Sequence, residues 1–208
     1  MTSALRFLPF VAAMAIVVAV SNVLVQYPFQ HLGLGEILTW GAFTYPVAFL
    51  VNDLTNRRFG AAAARRVVLA GFVIAVALSV WLATPRIAIA SGSAFLLAQL
   101  LDTAVFDRLR AKAWWQAPFI STLVGSALDT VLFFGLAFSA AFAGIDAFFG
   151  MEDGSLAFAV PFLGGEAPLW VSLALGDFAV KVLIGLAMLA PYGALLSVLK
   201  PAAQPVRR

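Results

Sequence analysis

Six long apolar stretches alternate with short polar segments along this 208-residue chain. They run over Leu5–Tyr27, Ile37–Leu54, Val67–Thr84, Ile87–Phe106, Ala117–Ala143 and Leu169–Leu199. Roughly 20 residues of helix cross a bilayer. The pattern therefore predicts one all-α, polytopic domain over residues 1–208 with six transmembrane helices. The second and third stretches are short and are expected to tilt little. Pro191 is expected to kink or end the sixth, because proline removes a backbone donor and crowds the preceding turn. The longest connection, Gly144–Pro168, mixes acids with Phe148, Phe149, Phe158 and Phe162. It reads equally as an interfacial spacer and as a cap over an entrance. A cleaved leader ending near Ala19-Val20-Ser21 is disfavoured, since only Arg6 marks its start and the apolar run exceeds a typical signal core.

The polar segments between the stretches carry their charge asymmetrically. Arg6, Arg57, Arg58, Arg65, Arg66, Arg108, Arg110, Lys112, Lys200, Arg207 and Arg208 all fall on one side of a six-span arrangement, which is 11 of the 13 basic residues. The other side holds Arg86 with Glu36, Asp146, Glu152, Asp153 and Glu166, and Lys181 lies within the sixth stretch. Lys and Arg favour the cytoplasmic side, so both termini are expected there. Five or seven spans would destroy the segregation. Trp40, Trp81, Trp114, Trp115 and Trp170 fall near the expected span ends, where indole rings favour the headgroup region.

Composition sharpens the picture. Hydrophobic residues make up 63% of the chain and charged residues 11%, against about half and a quarter in soluble domains. Lipid must therefore be the solvent for much of the surface. No cysteine and one histidine, His31, leave no expected metal centre or cofactor. The net charge of +3 is explained by topology rather than by nucleic acid.

Against that background the intramembrane polar residues stand out, because an ionised side chain at the bilayer centre costs at least ~2.5–3.5 kcal/mol. At ~1.5 Å per residue, Asp129 lies ~18 Å from the inner end of the fifth stretch, and Asp177 and Lys181 lie ~12 and ~18 Å from the outer end of the sixth. Asp177 and Lys181 are four apart, so they share a face and can pair; a self-neutralising structural pair and a polar centre completed by Asp129 are both open. Gln99 precedes Asp102 by one turn, and Asn22 and Gln26 share a face of the first stretch. Those two read as ligand contacts or as interhelical hydrogen bonds. Asp53 is expected to bridge to Arg57. Arg86 either attracts an anion or snorkels to the interface. Ser91, Ser93, Ser121 and Ser126 mark close helix packing first. Leu101-Asp102-Thr103 with Phe106 reappears as Leu128-Asp129-Thr130 with Phe133, a short echo on neighbouring stretches of opposite direction, as in transporters built from inverted repeats.

Enzyme readings find little support. Asp129 lacks the preceding glycine of intramembrane aspartyl proteases, and there is no phosphate-binding loop or HExxH zinc motif.

Taken in order, the polar positions resemble the queuosine precursor transporter family, a vitamin-uptake-like group. The likeness is carried by Ser21-Asn22-Val23-Leu24-Val25-Gln26, Thr39-Trp40-Gly41-Ala42-Phe43, Asp53-Leu54-Thr55, Arg58-Phe59-Gly60 and Ala64-Arg65-Arg66. It continues through Arg86-Ile87-Ala88, Ala90-Ser91, Gln99, Leu101-Asp102, Val105-Phe106, Arg108-Leu109-Arg110, Trp114-Trp115, Ala117-Pro118, Ser121-Thr122, Asp129-Thr130, Asp177, Lys181-Val182-Leu183 and Pro191. The resemblance implies a multi-pass importer in the bacterial inner membrane, taking up 7-deazaguanine bases in nitrile and aminomethyl forms. A guanine-like edge offers a ring N–H and an amine that one carboxylate accepts together, while an amide satisfies the carbonyl. The expected site is Asp102 or Asp129 on that edge, Gln99 on the carbonyl, and Phe95, Phe133 or Trp115 stacking. Lys181 and Asp177 would balance the empty pocket, with Asn22 nearby and Arg86 at an entrance. The second reading is the substrate-binding subunit of an energy-coupling-factor vitamin transporter, with Ala15 and Ala19 as a docking stripe. Beyond the base and lipid, a second copy or an energising subunit remains open as a partner.

Overall fold

The computed structural model describes residues 7–31, 38–162 and 164–197. Eight helices follow in order: α1 (Leu8–Leu24), α2 (Gly41–Thr44), α3 (Pro46–Phe59), α4 (Ala61–Leu82), α5 (Pro85–Leu109), α6 (Gln116–Phe138), α7 (Ala143–Phe148) and α8 (Leu169–Leu196). Four of them, α4, α5, α6 and α8, are long and apolar enough to cross a membrane, and α1 is a shorter apolar helix of 17 residues. The expected span limits Leu5, Ile37 and Leu199 lie outside the described residues. So do Arg6, Glu36, Lys200, Arg207 and Arg208.

The second stretch departs most from expectation. Instead of one helix over 37–54, the chain breaks at Tyr45 and restarts with Pro46, whose missing N–H suits a first helical position. The helix then runs past Leu54 to Phe59 and ends at Gly60, whose φ of +89° only glycine adopts easily. Polar residues suggested an exit from the membrane there, yet Asn52, Asp53 and Asn56 are buried with partners on neighbouring helices, and buried Thr55 donates to Val51 O of its own helix. In the sixth stretch Pro191 neither ends nor interrupts α8, which continues to Leu196. The fifth stretch stops at Phe138 rather than Ala143, and a 3₁₀ turn over Ala140–Phe142 leads into α7. The segment 144–168 is more than a spacer. It contains most of α7 and a short antiparallel hairpin, β1 (Ala159–Phe162) with β2 (Gly165–Pro168), a small β addition to an otherwise helical chain.

The bundle is organised around α5, over half of whose most apolar stretch is buried, against 6% for α8. Small residues on α5 and its neighbours let backbones approach, as in membrane helix packing. A Cβ at Gly125 of α6 would stand 2.7 Å from the Phe49 ring and 3.2 Å from Asp102 Cβ. At Gly71 of α4 it would stand 2.7 Å from Met14. One core cluster, with Met14, Val18, Val67, Val68 and Phe95, joins α1, α3, α4 and α5, and a second joins Leu54, Phe106, Ala117 and Tyr192.

Candidate functional site

A cavity of about 750 Å³ opens among α1, α2, α4, α5, α6 and α8, at the end of the bundle where the α1–α2, α4–α5 and α6–α8 connections gather. Sites for small organic molecules commonly fall between roughly 300 and 1,000 Å³. Its wall is largely apolar, with Phe133, Phe134 and Phe138 of α6 stacked edge to face or tilted at 5.2–5.9 Å between ring centres. Asn22 of α1, Gln26 just beyond its end, Tyr45, Ser79 of α4 and Ser91 of α5 bring polar groups to it.

Among the described residues that line it, the carboxylates and amine are Asp129, Asp177 and Lys181. Lys181 Nζ lies 2.6 Å from Asp129 Oδ2 and 2.5 Å from Asp177 Oδ2. The helical spacing of 177 and 181 places one carboxylate, and α6 packed on α8 brings the other. Thr130 completes the group, donating to Asp177 at 3.0 Å and accepting from Lys181 at 3.3 Å. Two carboxylates share one ammonium, so the group carries a net charge of minus one at the edge of the cavity. Short charge-assisted contacts of this kind offset the cost of removing each ion from water.

On α1, Asn22 is held by its neighbours: Nδ2 donates to Val18 O at 2.9 Å and Oδ1 accepts from Ser79 Oγ at 3.0 Å. Gln26, one turn on, is exposed at the mouth.

A second polar group lies toward the opposite end, where α3, α5 and α6 meet. Asn52 Nδ2 donates to Asp102 Oδ2 at 2.8 Å, to Thr103 Oγ1 at 3.0 Å and to Gln99 O at 3.1 Å. Asp53 accepts from Ser121 and Thr122 at 3.3 and 3.5 Å. Below it, Arg57 donates to Tyr192 Oη and to Arg110 O, both at 2.8 Å, and Arg110 holds the side chain and carbonyl of Asn56.

Residues 39–84 and 77–195 match the family described as "Putative vitamin uptake transporter". The chain is 38% identical over 206 residues to the "Queuosine precursor transporter" of Escherichia coli (strain K12), covering 88% of this chain and 83% of that one. It is 35% identical over 215 residues to the "Probable queuosine precursor transporter" of Haemophilus influenzae, with the same coverage. The chain belongs to this family. No solved structure matches it.

For a member of this family, the site expected from sequence divides in two. Asn22, Asp129, Phe133, Asp177 and Lys181 line one cavity. Gln99 and Asp102 do not; they are 1% and 0% exposed in the second polar group, about one and a half and two turns along α5 from the cavity-lining Ala94. Phe95 packs in the core beside Met14 and Gly71 rather than facing the cavity. Trp115 is exposed just before α6, outside the cavity. Arg86 is neither a free anion site nor a snorkelling residue. It is 1% exposed, and its guanidinium donates to Leu136 O at 2.8 Å, Ser139 O at 2.5 Å and Asp146 Oδ2 at 2.6 Å. That clasp pins the start of α5 to α7. The expected Asp53–Arg57 bridge gives way to α6 hydroxyls on Asp53 and Tyr192 on Arg57.

Sequence reasoning missed Tyr45, Ser79, Phe134 and Phe138 on the cavity wall, and Asn52 as the hub of the second group. An asparagine beside an aspartate near a span end was the available signal for Asn52. The aromatic and hydroxyl positions carried none, because their facing depends on how six elements meet.

Proposed function

We propose that the chain imports queuosine precursors, 7-deazaguanine bases bearing a nitrile or aminomethyl group, and that the base sits in the cavity beside Asp129, Asp177 and Lys181. The observation that carries this reading is the ion triad opening onto an aromatic cavity of small-molecule size. With four helices long and apolar enough to span, this family member is a multi-pass membrane protein, and its place is the bacterial inner membrane.

The chemistry suits the ligand. A carboxylate of Asp129 or Asp177 accepts the ring N–H and amine of the guanine-like edge, and Gln26 or Asn22 reaches the carbonyl through its amide. The Phe133 group supplies a face for stacking, since aromatic pairs prefer offset or edge contacts. As the base engages one carboxylate, Lys181 stays paired with the other, so no charge is left bare. Gln99, Asp102, Phe95 and Trp115 then act outside the base site.

In the proposed topology α1, α2 with α3, α4, α5, α6 and α8 form six spans of one domain. The basic end, with Arg57, Arg58, Arg65, Arg66, Arg108, Arg110 and Lys112, faces the cytoplasm with both termini, and the cavity opens outward. Catalysis plays no part.

Salvage of an added base by a strain unable to make it tests the assignment. Asp129→Ala and Asp177→Ala are expected to abolish salvage at normal protein levels, and undiminished salvage by both variants overturns the site. Uptake by the purified chain in liposomes establishes a self-sufficient carrier, whereas dependence on an ATPase module restores the energy-coupling-factor reading.

A further inference from the structure

The second polar group contains a feature that base binding does not use. Asp53 and Asp102 are 1% and 0% exposed, and among the described residues neither has a lysine or arginine within salt-bridge distance. The two carboxyls are neighbours: Asn52, which donates to Asp102, immediately precedes Asp53, and Ser121 donates to Asp53 from α6. Among the described residues Asp102 Oδ1 has no donor, and neither does Gln99 Oε1 one turn away. A buried carboxylate oxygen without a donor is rare and costly. Beside Asp53, Thr122, Gly185 and Tyr192 line a void of about 10 Å³, at the lower limit for a single water.

Two like charges in contact in a dry site cannot both persist. A proton shared between the carboxyls removes one charge and gives the orphaned oxygen its donor. The surroundings suit a proton better than a metal ion, since Asn52 Nδ2, Ser121 Oγ and Thr122 Oγ1 all present donors to the carboxyls. Among the described residues no cation within salt-bridge distance substitutes for it. On α3, Arg57 donates to Tyr192 and Arg110 O and keeps its Nη2 buried without a partner; just after α5, Arg110 is held by Asn56 and Asp107. Arg58 of α3 stacks on Phe59, and Arg108 of α5 is exposed. Packed against these helices, α4 offers only the exposed Arg65 and Arg66, α7 offers Asp146 locked to Arg86, α6 and α8 offer the Asp129–Lys181–Asp177 triad and Tyr192, and the described parts of α1 and α2 carry no charge.

We propose that Asp53 and Asp102 form a proton-binding site, separate from the base cavity, that holds this end of the bundle closed while protonated and opens it on losing the proton. The proposal rests on the importer reading for its consequence, though not for the site itself. Without the proton, two adjacent anions need more water than the small void beside Asp53 can hold, and more reaches them only if α3, α5 and α6 part. The Gly125 backbone, pressed against Asp102, is the contact that must yield. Closed with the cavity open, and opened with the pair hydrated, are the two states that such a linkage connects.

The test has two readouts. Infrared difference spectra of the purified wild-type protein at neutral pH should show the carbonyl stretch of a buried protonated carboxyl, absent from both Asp53→Asn and Asp102→Asn. In liposomes, entry of the uncharged nitrile base should accelerate several-fold as the pH inside is raised, and either variant, left with a single carboxyl and no partner to share a proton with, should flatten that profile while still binding the base in detergent. No protonated-carboxyl band, a band that survives both substitutions, or a wild-type pH profile kept by both variants overturns the proton site. If wild type binds and moves no base while the band behaves as stated, it is the importer reading that fails and the proton site that stands.

Discussion

The two Leu-Asp-Thr copies lie on neighbouring helices and end in opposite electrical surroundings. At Leu128-Asp129-Thr130 the carboxylate touches an ammonium 2.6 Å away, and the threonine bonds a second carboxylate across to α8. At Leu101-Asp102-Thr103 the carboxylate meets an amide at 2.8 Å, and the threonine bonds the same asparagine on α3. The burial cost is similar, since both aspartates are at most 8% exposed. One is answered by counter-charge and the other by dipoles. A counter-charge at a cavity edge can trade partners with an arriving ligand. Dipoles in a dry site cannot, and the only cheap way left to change state there is to move a proton.

Removing the counter-charge should break this comparison most forcefully. Lys181→Ala strands two carboxylates, and a loss of about 3–5 kcal/mol is expected in denaturant or thermal unfolding in detergent. Adding Asp129→Asn and Asp177→Asn should recover much of the stability but none of the base binding. A Lys181→Ala protein as stable as wild type would show that the triad is not the neutralised group described above.

Asn52→Ala is the matching cut at the other end. It deletes the amide that serves Asp102, Thr103 and Gln99 together, and should cost about 1–3 kcal/mol while base affinity in the cavity stays unchanged. Equal losses of affinity in Asn52→Ala and Asp129→Asn would merge the two regions into one.

The unequal charges sharpen the contrast further. The cavity group carries minus one, so the cationic aminomethyl base should bind about tenfold more tightly than the neutral nitrile, with the gap shrinking in salt. Calorimetric titration of both bases measures this, and equal affinities would mean that one of the two cavity carboxylates is neutral.

The smallest effect belongs to Asp153, in the segment that Arg86 clasps. Hydrogen bonds from Ser155, with a lesser contribution from Arg86, hold its carboxyl below the usual value near 3.8. Its contribution is therefore complete above that value and fades as pH falls through the lowered one. Asp153→Asn should leave unfolding at neutral pH almost unchanged and slightly reduce the sensitivity to acid. Asp146→Asn, which bares the buried Arg86, should be far worse at neutral pH.

Much of this molecule is written along the chain because membrane insertion is a local matter. Each apolar run meets the bilayer by itself, so α4, α5, α6 and α8 overlap the stretches read from sequence, with described ends displaced by up to six residues. The same locality makes the i, i+4 pair of Asp177 and Lys181 legible, and a buried lysine calls for a further acid that Asp129 supplies. The sequence thus determined the long helices, their charge asymmetry and the residues that cannot face lipid. Only tertiary structure decided which of those residues share a cavity. Asp102 repeats the chemistry of the cavity acids, yet α3 packs on that face of α5 and claims its carboxyl, together with the Gln99 carbonyl, through Asn52. Arg86 looked available until the 139–155 segment folded back over it. Facing and partnership depend on how helices rotate and close on one another, and hydropathy along a single chain holds no information about that angle.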